Sequence, residues 1–302
     1  MTLRLGTRAS ALAQWQANWV AGQLRAQSQE VELVPITTSG DRELIPIQTI
    51  GGKGVFTKEI QRALLEDQID LAVHSLKDLP TDTPPELILA AVPQRAPCGD
   101  VLVSPTWKTI DRLPAGSTVG TSSMRRRAQL LNYRPDLQMK DMRGNIDTRL
   151  RKLHQGDYHA IVLAEAGLTR LGLGSEITQQ LPMSIMLPAV GQGALGLETR
   201  CEDSITRAAV APLDHAPTHH AVLAERAMLA ALHGGCLAPI AAWARMETNH
   251  LSLTGRVLSP DGRRKLEVTM VNDSLDPLDL GRRVAEELLL QGAAELINLA
   301  RG

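Results

Sequence analysis

Between Met124 and Lys152 the chain carries nine basic residues, Arg125, Arg126, Arg127, Arg134, Lys140, Arg143, Arg149, Arg151 and Lys152, against three acidic ones, Asp136, Asp141 and Asp147. The formal net charge of all 302 residues is -1, so this excess is local. Arg134, Arg151 and Lys152 read as a solvated helical face. Arg125 and Arg126 differ, because Gly120-Thr121-Ser122-Ser123 places them in the first turns of a helix, where cations oppose the helix dipole unless an anion sits at the helix start. Arg143 precedes Gly144-Asn145 at a second strand-to-helix junction and repeats that logic. Guanidinium forks match carboxylates, so several such sites point to a ligand with many carboxylates.

A second group is His74-Ser75-Leu76-Lys77-Asp78-Leu79-Pro80, directly after an apolar segment that reads as a buried strand. Strand C-termini are where αβ domains keep reactive groups, which makes Lys77 and Asp78 candidates. The same pattern also fits a helix-start acid beside a surface lysine. A single carboxylate among cations stays ionised and can hold a developing positive charge or move a proton. Gly51-Gly52-Lys53-Gly54 lacks the spacing of a phosphate loop and reads as a mobile lid presenting Lys53, with Phe56 beside it. Cys236 follows Gly234-Gly235 and precedes Leu237-Ala238-Pro239, so it sits on a tight loop. It is either a buried structural thiol or a thiol that another group approaches closely.

The elements that must place these residues follow from periodicity. Strand, helix and strand at Leu3–Gly6, from Ser10 and at Val31–Thr37 form a parallel βαβ unit, with Leu12, Trp15, Trp19, Val20 and Leu24 as the helix's apolar positions and Ser10 as its N-cap. A helix over 57–66 and strands over 69–74 and 87–92 extend the series, and Pro93–Gly99 reads as a crossing to a second αβ series. That series has strands at 101–104, 118–120, 137–140 and 159–163 and helices at 123–132, 146–155 and 166–171. Pro182 and Pro188 mark a crossing back, and Ala194–Thr199 reads as a strand returning to the first sheet. A helix from Pro217 to Leu232, strands near 240–244, 251–258 and 265–271, and one helix over 277–300 form an α+β block. Paired crossings between two αβ domains make a cleft suited to anions.

Composition narrows the function. Hydrophobic residues are 43% and charged residues 22%, the balance of a folded globular chain. Aromatics are only 2%, which argues against a base-stacking surface, and near-neutrality argues against nucleic acid or an anionic membrane as partner. No apolar run reaches membrane-helix length. Cys98, Cys201 and Cys236 are odd in number and lack C-x-x-C spacing, which fits a reducing, cytoplasmic setting.

Seven motifs occur in order: Gly6-Thr7-Arg8-Ala9-Ser10, Gly51-Gly52-Lys53-Gly54, His74 to Pro80, Gly120-Thr121-Ser122-Ser123-Met124-Arg125-Arg126, Arg143-Gly144-Asn145, Leu187-Pro188-Ala189-Val190-Gly191-Gln192-Gly193 and Gly234-Gly235-Cys236. On them the sequence resembles the porphobilinogen deaminase family along nearly its whole length. The resemblance implies an α/β fold of three domains, the first two like periplasmic-binding-protein lobes with a cleft between them and the third a small α+β domain carrying the cofactor cysteine. The expected spans are 1–93 with 194–212, 99–188 and 216–302. It further implies a dipyrromethane cofactor joined by a thioether to Cys236, which primes the addition of four porphobilinogens, each losing ammonia, before hydroxymethylbilane is hydrolysed off. Asp78 is then the catalytic carboxylate. Lys77, Thr121, Ser122, Ser123, Arg125, Arg126 and Gly144 join Cys236 in holding the cofactor, and Arg8, Ser10, Lys53, Phe56, Arg143, Arg149, Arg170 and Gln192 serve the substrate. A metal is not expected, and a monomer is. The rival reading is a two-lobed protein that captures a polycarboxylate without chemistry; it has no need of Cys236 or a third domain.

Overall fold

The computed structural model describes residues 2–37, 57–234, 238–248, 250–273 and 276–301. Lys53, Phe56 and Cys236, and the glycine-rich stretch around Lys53, lie outside the described residues. The chain divides into two compact units, Met1–Ala96 with Ala194–His219, and Pro97–Gly193 with His220–Gly302. In chain order the first contains β1 (Thr2–Thr7), α1 (Ala11–Ala26), β2 (Glu30–Pro35), α2 (Lys58–Leu65), β3 (Leu71–Ser75) and β4 (Leu87–Ala91). The second contains β5 (Asp100–Val103), β6 (Thr118–Gly120), α3 (Met124–Tyr133), β7 (Gln138–Lys140), α4 (Ile146–His154), β8 (Ala160–Ala164), α5 (Glu165–Arg170) and β9 (Gln179–Gln180). Then β10 (Leu195–Arg200) and α6 (Ser204–Val210) belong again to the first unit. After α7 (Ala216–Ala231) the second unit is completed by β11 (Ile240–Glu247), β12 (His250–Leu258), β13 (Lys265–Asn272), α8 (Pro277–Leu290) and α9 (Ala293–Leu299).

The two five-stranded sheets repeat one plan. The first has the order β2-β1-β3-β10-β4 and the second β7-β6-β8-β5-β9. In each, three parallel strands from consecutive βα units are followed by one antiparallel strand, β10 or β5, reached through a crossing. The return of 194–199 to the first sheet is as expected. The third sheet is the antiparallel meander β11-β12-β13, covered by α7, α8 and α9 around Met228, Leu253, Val284, Leu288 and Leu296.

Local sequence explains several element ends. The Ser10 hydroxyl accepts the Ala13 N–H at 3.3 Å and starts α1. Its buried face is Gln16, Ala17, Val20, Ala21 and Leu24, so the expected stripe through Leu12 and Trp15 is rotated; Trp15 is 37% exposed and the polar Gln16 takes a buried place. The single helix expected over 277–300 is two, because Gly292 adopts φ +98° between α8 and α9, a backbone state natural to glycine alone. Short β9 and α6 carried too little periodicity to be expected.

Candidate active site

In the first unit the site is built on the end of β3. Leu71, Ala72, Val73 and His74 are buried, and the strand passes directly into a 3-10 turn, Leu76–Asp78. Lys77 and Asp78 are half-buried there, as strand-end logic requires. Behind them Gln16 Nε2 donates to the Ser75 hydroxyl at 2.8 Å, while His74 Nε2 meets Glu198 Oε2 at 3.0 Å. Arg8 is half-buried just past β1, two residues before the Ser10 cap.

In the second unit the expected arginine pair lies on α3, with Arg125 5% and Arg126 6% exposed. Both face Asp100, which opens β5 and is fully buried: Arg125 Nη1 reaches Oδ2 at 2.6 Å and Arg126 Nη2 reaches Oδ1 at 2.7 Å. The anion required at this helix start is therefore partly supplied by the protein itself. Burial alone would push the Asp100 carboxyl up, but Arg125 and Arg126 outweigh it and hold it far below the usual carboxylate range. Burial pulls the Arg125 guanidinium down from its ordinary value, against the pull of Asp100. Two guanidiniums to one carboxylate leave one positive charge uncompensated within this trio, and Arg125 Nε is a buried donor without a hydrogen-bond partner among the described residues.

The hydroxyls beside the pair are partly engaged by the backbone. Ser123 accepts the Arg126 N–H, Thr121 Oγ1 accepts the Ser123 N–H at 3.2 Å, and Ser122 Oγ bridges the carbonyl and N–H of Met142 at 2.8 and 3.0 Å. Gly144 holds φ +110°, and a Cβ there would lie 2.8 Å from Thr148. The Arg149 Nε donates to the Gly144 carbonyl at 2.8 Å, and Arg143 is half-buried next to that turn. Arg170 donates to the Gly193 carbonyl at 2.8 Å, and burial pushes it down to about 10. Gln192, expected to meet substrate, is 1% exposed and gives its amide hydrogens to Cys98 O, Gly99 O and Asp100 Oδ1. It ties the two crossing segments together. Arg134 is no solvated-face residue: its guanidinium donates to Asp136 and to the carbonyls of Ile110 and Leu113.

Four residues were not anticipated. Asp100 had a signal, since an acid heading the buried run Val101-Leu102-Val103 needs a buried cation. Gln129 on α3 grips Leu187 by both backbone groups and receives Arg256 Nη1 from β12 at 2.7 Å. Glu225 on α7 accepts the Gly191 and Ala244 N–H groups at 2.7 and 2.9 Å. Together they fix the crossing at 187–191 to the third sheet. Glu198 is the fourth, and nothing local in Leu195–Arg200 distinguished it.

These observations fit a carboxylate-bearing cofactor. Surplus positive charge in the buried trio, a guanidinium N–H with no acceptor among the described residues and a helix N-terminus are what a polyanion requires.

Comparisons with known proteins agree. A family model for the porphobilinogen deaminase dipyrromethane cofactor binding domain matches residues 3–208, and one for the porphobilinogen deaminase C-terminal domain matches 219–290. A porphobilinogen deaminase of Brevibacillus brevis is 50% identical over 97% of this chain and 96% of its own. Those of Geobacter metallireducens and Acidithiobacillus ferrooxidans are 47% and 49% identical, over 98% and 99% of this chain and 93% and 98% of theirs. Among solved structures, the methionine binding protein MetQ aligns over 70% of this chain and 89% of its own at 14% identity and a TM-score of 0.45, too low to add to the topology above. With both family models matched in sequence order and half of all positions shared with a relative along nearly the full length, the chain belongs to the porphobilinogen deaminase family.

Proposed function

We infer that this chain is the transferase of tetrapyrrole biosynthesis that joins four porphobilinogens head to tail, releasing ammonia each time, and then hydrolyses off hydroxymethylbilane. The observation that carries this is the ordered match of both family models. Its rival, capture of a polycarboxylate without chemistry, gives no reason for a carboxylate at the end of β3 or for the third domain. A dipyrromethane held through Cys236 would supply the free α-carbon onto which the first unit is joined. Arg125 and Arg126 of the second unit would hold its carboxylates; Thr121, Ser122, Ser123 and Gly144 of the same unit and Lys77 of the first are also assigned to the cofactor. Every porphobilinogen brings an acetate and a propionate, and Arg8, Ser10, Lys53, Arg143, Arg149 and Arg170 are assigned to them; Phe56 and Gln192 are assigned to the substrate without a carboxylate contact. Asp78 offsets the positive charge that grows on the pyrrole nitrogen as ammonia departs, and receives the proton lost when the new bond forms. We place the enzyme in the cytoplasm and assign it as a monomer, the latter checked by sedimentation of the purified protein.

Asp78→Asn tests the assignment. It keeps shape but not charge, so kcat should fall roughly a hundredfold or more while substrate binding persists. Wild-type turnover in Asp78→Asn, or a loss confined to KM, would remove Asp78 from the chemistry. Intact mass tests the attachment: wild type should exceed its sequence mass by one dipyrromethane, and Cys236→Ser should not.

A further inference from the structure

We propose that Glu198 is a positioning residue for Asp78, acting through a buried polar clamp on the end of β3; this rests on the catalytic reading of Asp78 above. Glu198 lies on β10 and is fully buried. Two other buried acids, Asp70 and Asp100, face arginines at 2.6 Å. Glu198 instead accepts from Gln61 Nε2 at 2.9 Å and meets His74 Nε2 at 3.0 Å. Burying such a group costs more than an apolar side chain of similar size would, so its stability contribution does not account for it. Its geometry does.

Leu71 and Val73 pack on the α1 side of the first sheet, and Ala72 on the α2 side. Each helix layer sends one buried glutamine to the end of β3. Gln61 of α2 reaches His74 through Glu198, and Gln16 of α1 holds the Ser75 hydroxyl. The next residue, Leu76, donates its N–H to the Ala194 carbonyl at 3.1 Å, and Gly196 leaves room for its side chain, since a Cβ there would come within 2.8 Å of it. Three consecutive residues are thus fixed from α1, α2 and β10 immediately before the turn that carries Asp78. A reacting group displaced by about 1 Å can cost roughly a hundredfold in rate.

The test uses cofactor-loaded protein. Glu198→Leu removes both contacts, whereas Glu198→Gln can still accept from Gln61 and donate to the other tautomer of His74. Under conditions where circular dichroism shows complete folding, Glu198→Leu should lower kcat roughly 10- to 100-fold with KM within about twofold, and should speed hydrogen exchange of the amides of residues 75–79. Glu198→Gln should recover most of both. Should Glu198→Leu not fold, Gln61→Leu must show the same signature, a fall in kcat rather than a rise in KM. Wild-type kcat and exchange in a folded variant, a loss confined to KM, or a Glu198→Gln no better than Leu would each overturn the proposal. Asp78→Asn measured alongside separates the two ideas: its retaining full kcat refutes the catalytic reading, and its losing kcat while Glu198→Leu does not refutes the positioning role.

Discussion

Asp100→Asn probes the arginine pair most directly. Asp100 Oδ1 takes Arg126 Nε at 3.0 Å, Arg126 Nη2 at 2.7 Å and Gln192 Nε2 at 3.0 Å, while Oδ2 takes Arg125 Nη1 at 2.6 Å. Asparagine offers one oxygen to these four donors and turns its other terminus into a fifth. At an effective dielectric of about 20, unit charges roughly 3 Å apart attract by about 5 kcal/mol, and removing one partner of a buried pair typically costs about 3–5 kcal/mol. A loss of about that size is expected at pH 7, read from urea unfolding of wild type and variant. The carboxyl's folded-state pKa is depressed below its ordinary value of 3.8, so its contribution is complete above that value and vanishes as pH falls through the lower one. The gap between wild type and variant should therefore be constant near neutrality and shrink on acidification below about 4. A loss under about 1 kcal/mol at pH 7, set against the expected range, or a gap that persists unchanged into acid, would show that the trio is not the ion cluster described.

Arg125→Leu or Arg126→Leu should block cofactor loading, seen as unmodified mass, whereas Arg127→Leu, whose side chain is exposed on the same helix, should load normally; equal loading in all three would return the cluster to a surface role. Gly281→Val should destabilise the second unit by about 1–3 kcal/mol in urea, because a Cβ at Gly281 of α8 would sit 2.4 Å from the Ala224 carbonyl and 2.9 Å from the Met228 nitrogen.

The parts of this protein written in contiguous residues were legible. Leu71-Ala72-Val73 announces a buried strand, and the strand does end in the turn that carries Lys77 and Asp78; Ser10 and Ser123 announce helix starts, and both act as N-caps. What escaped was long-range pairing. Nothing near Arg125 says that its counter-ion is 25 residues upstream, and nothing near His74 points to Glu198, 124 residues away. The face of α1 was misjudged where a polar residue took a core position: Trp15 reads as one of the helix's apolar positions but is exposed, while Gln16 is buried and hydrogen-bonded to Ser75. Arg134 was misread for the same reason, its carbonyl partners at Ile110 and Leu113 being 24 and 21 residues distant.

The place of β10 in the first sheet also orders events during synthesis. β3 and β4 are not neighbours; each pairs with β10, which lies between them. β4 ends at Ala91 and β10 begins at Leu195, so at about 5–20 residues per second the ribosome needs roughly 5–20 s to supply the missing strand. Throughout that interval β3 exposes an unpaired edge, the hazard that sheet proteins ordinarily guard against, and the turn bearing Asp78 lacks the strand that fixes it. All five strands of the second sheet lie between Asp100 and Gln180, so that sheet has its full complement before the first does. A nascent chain arrested before Leu195 should consequently protect the second sheet from proteolysis while leaving β3 and β4 open to chaperones.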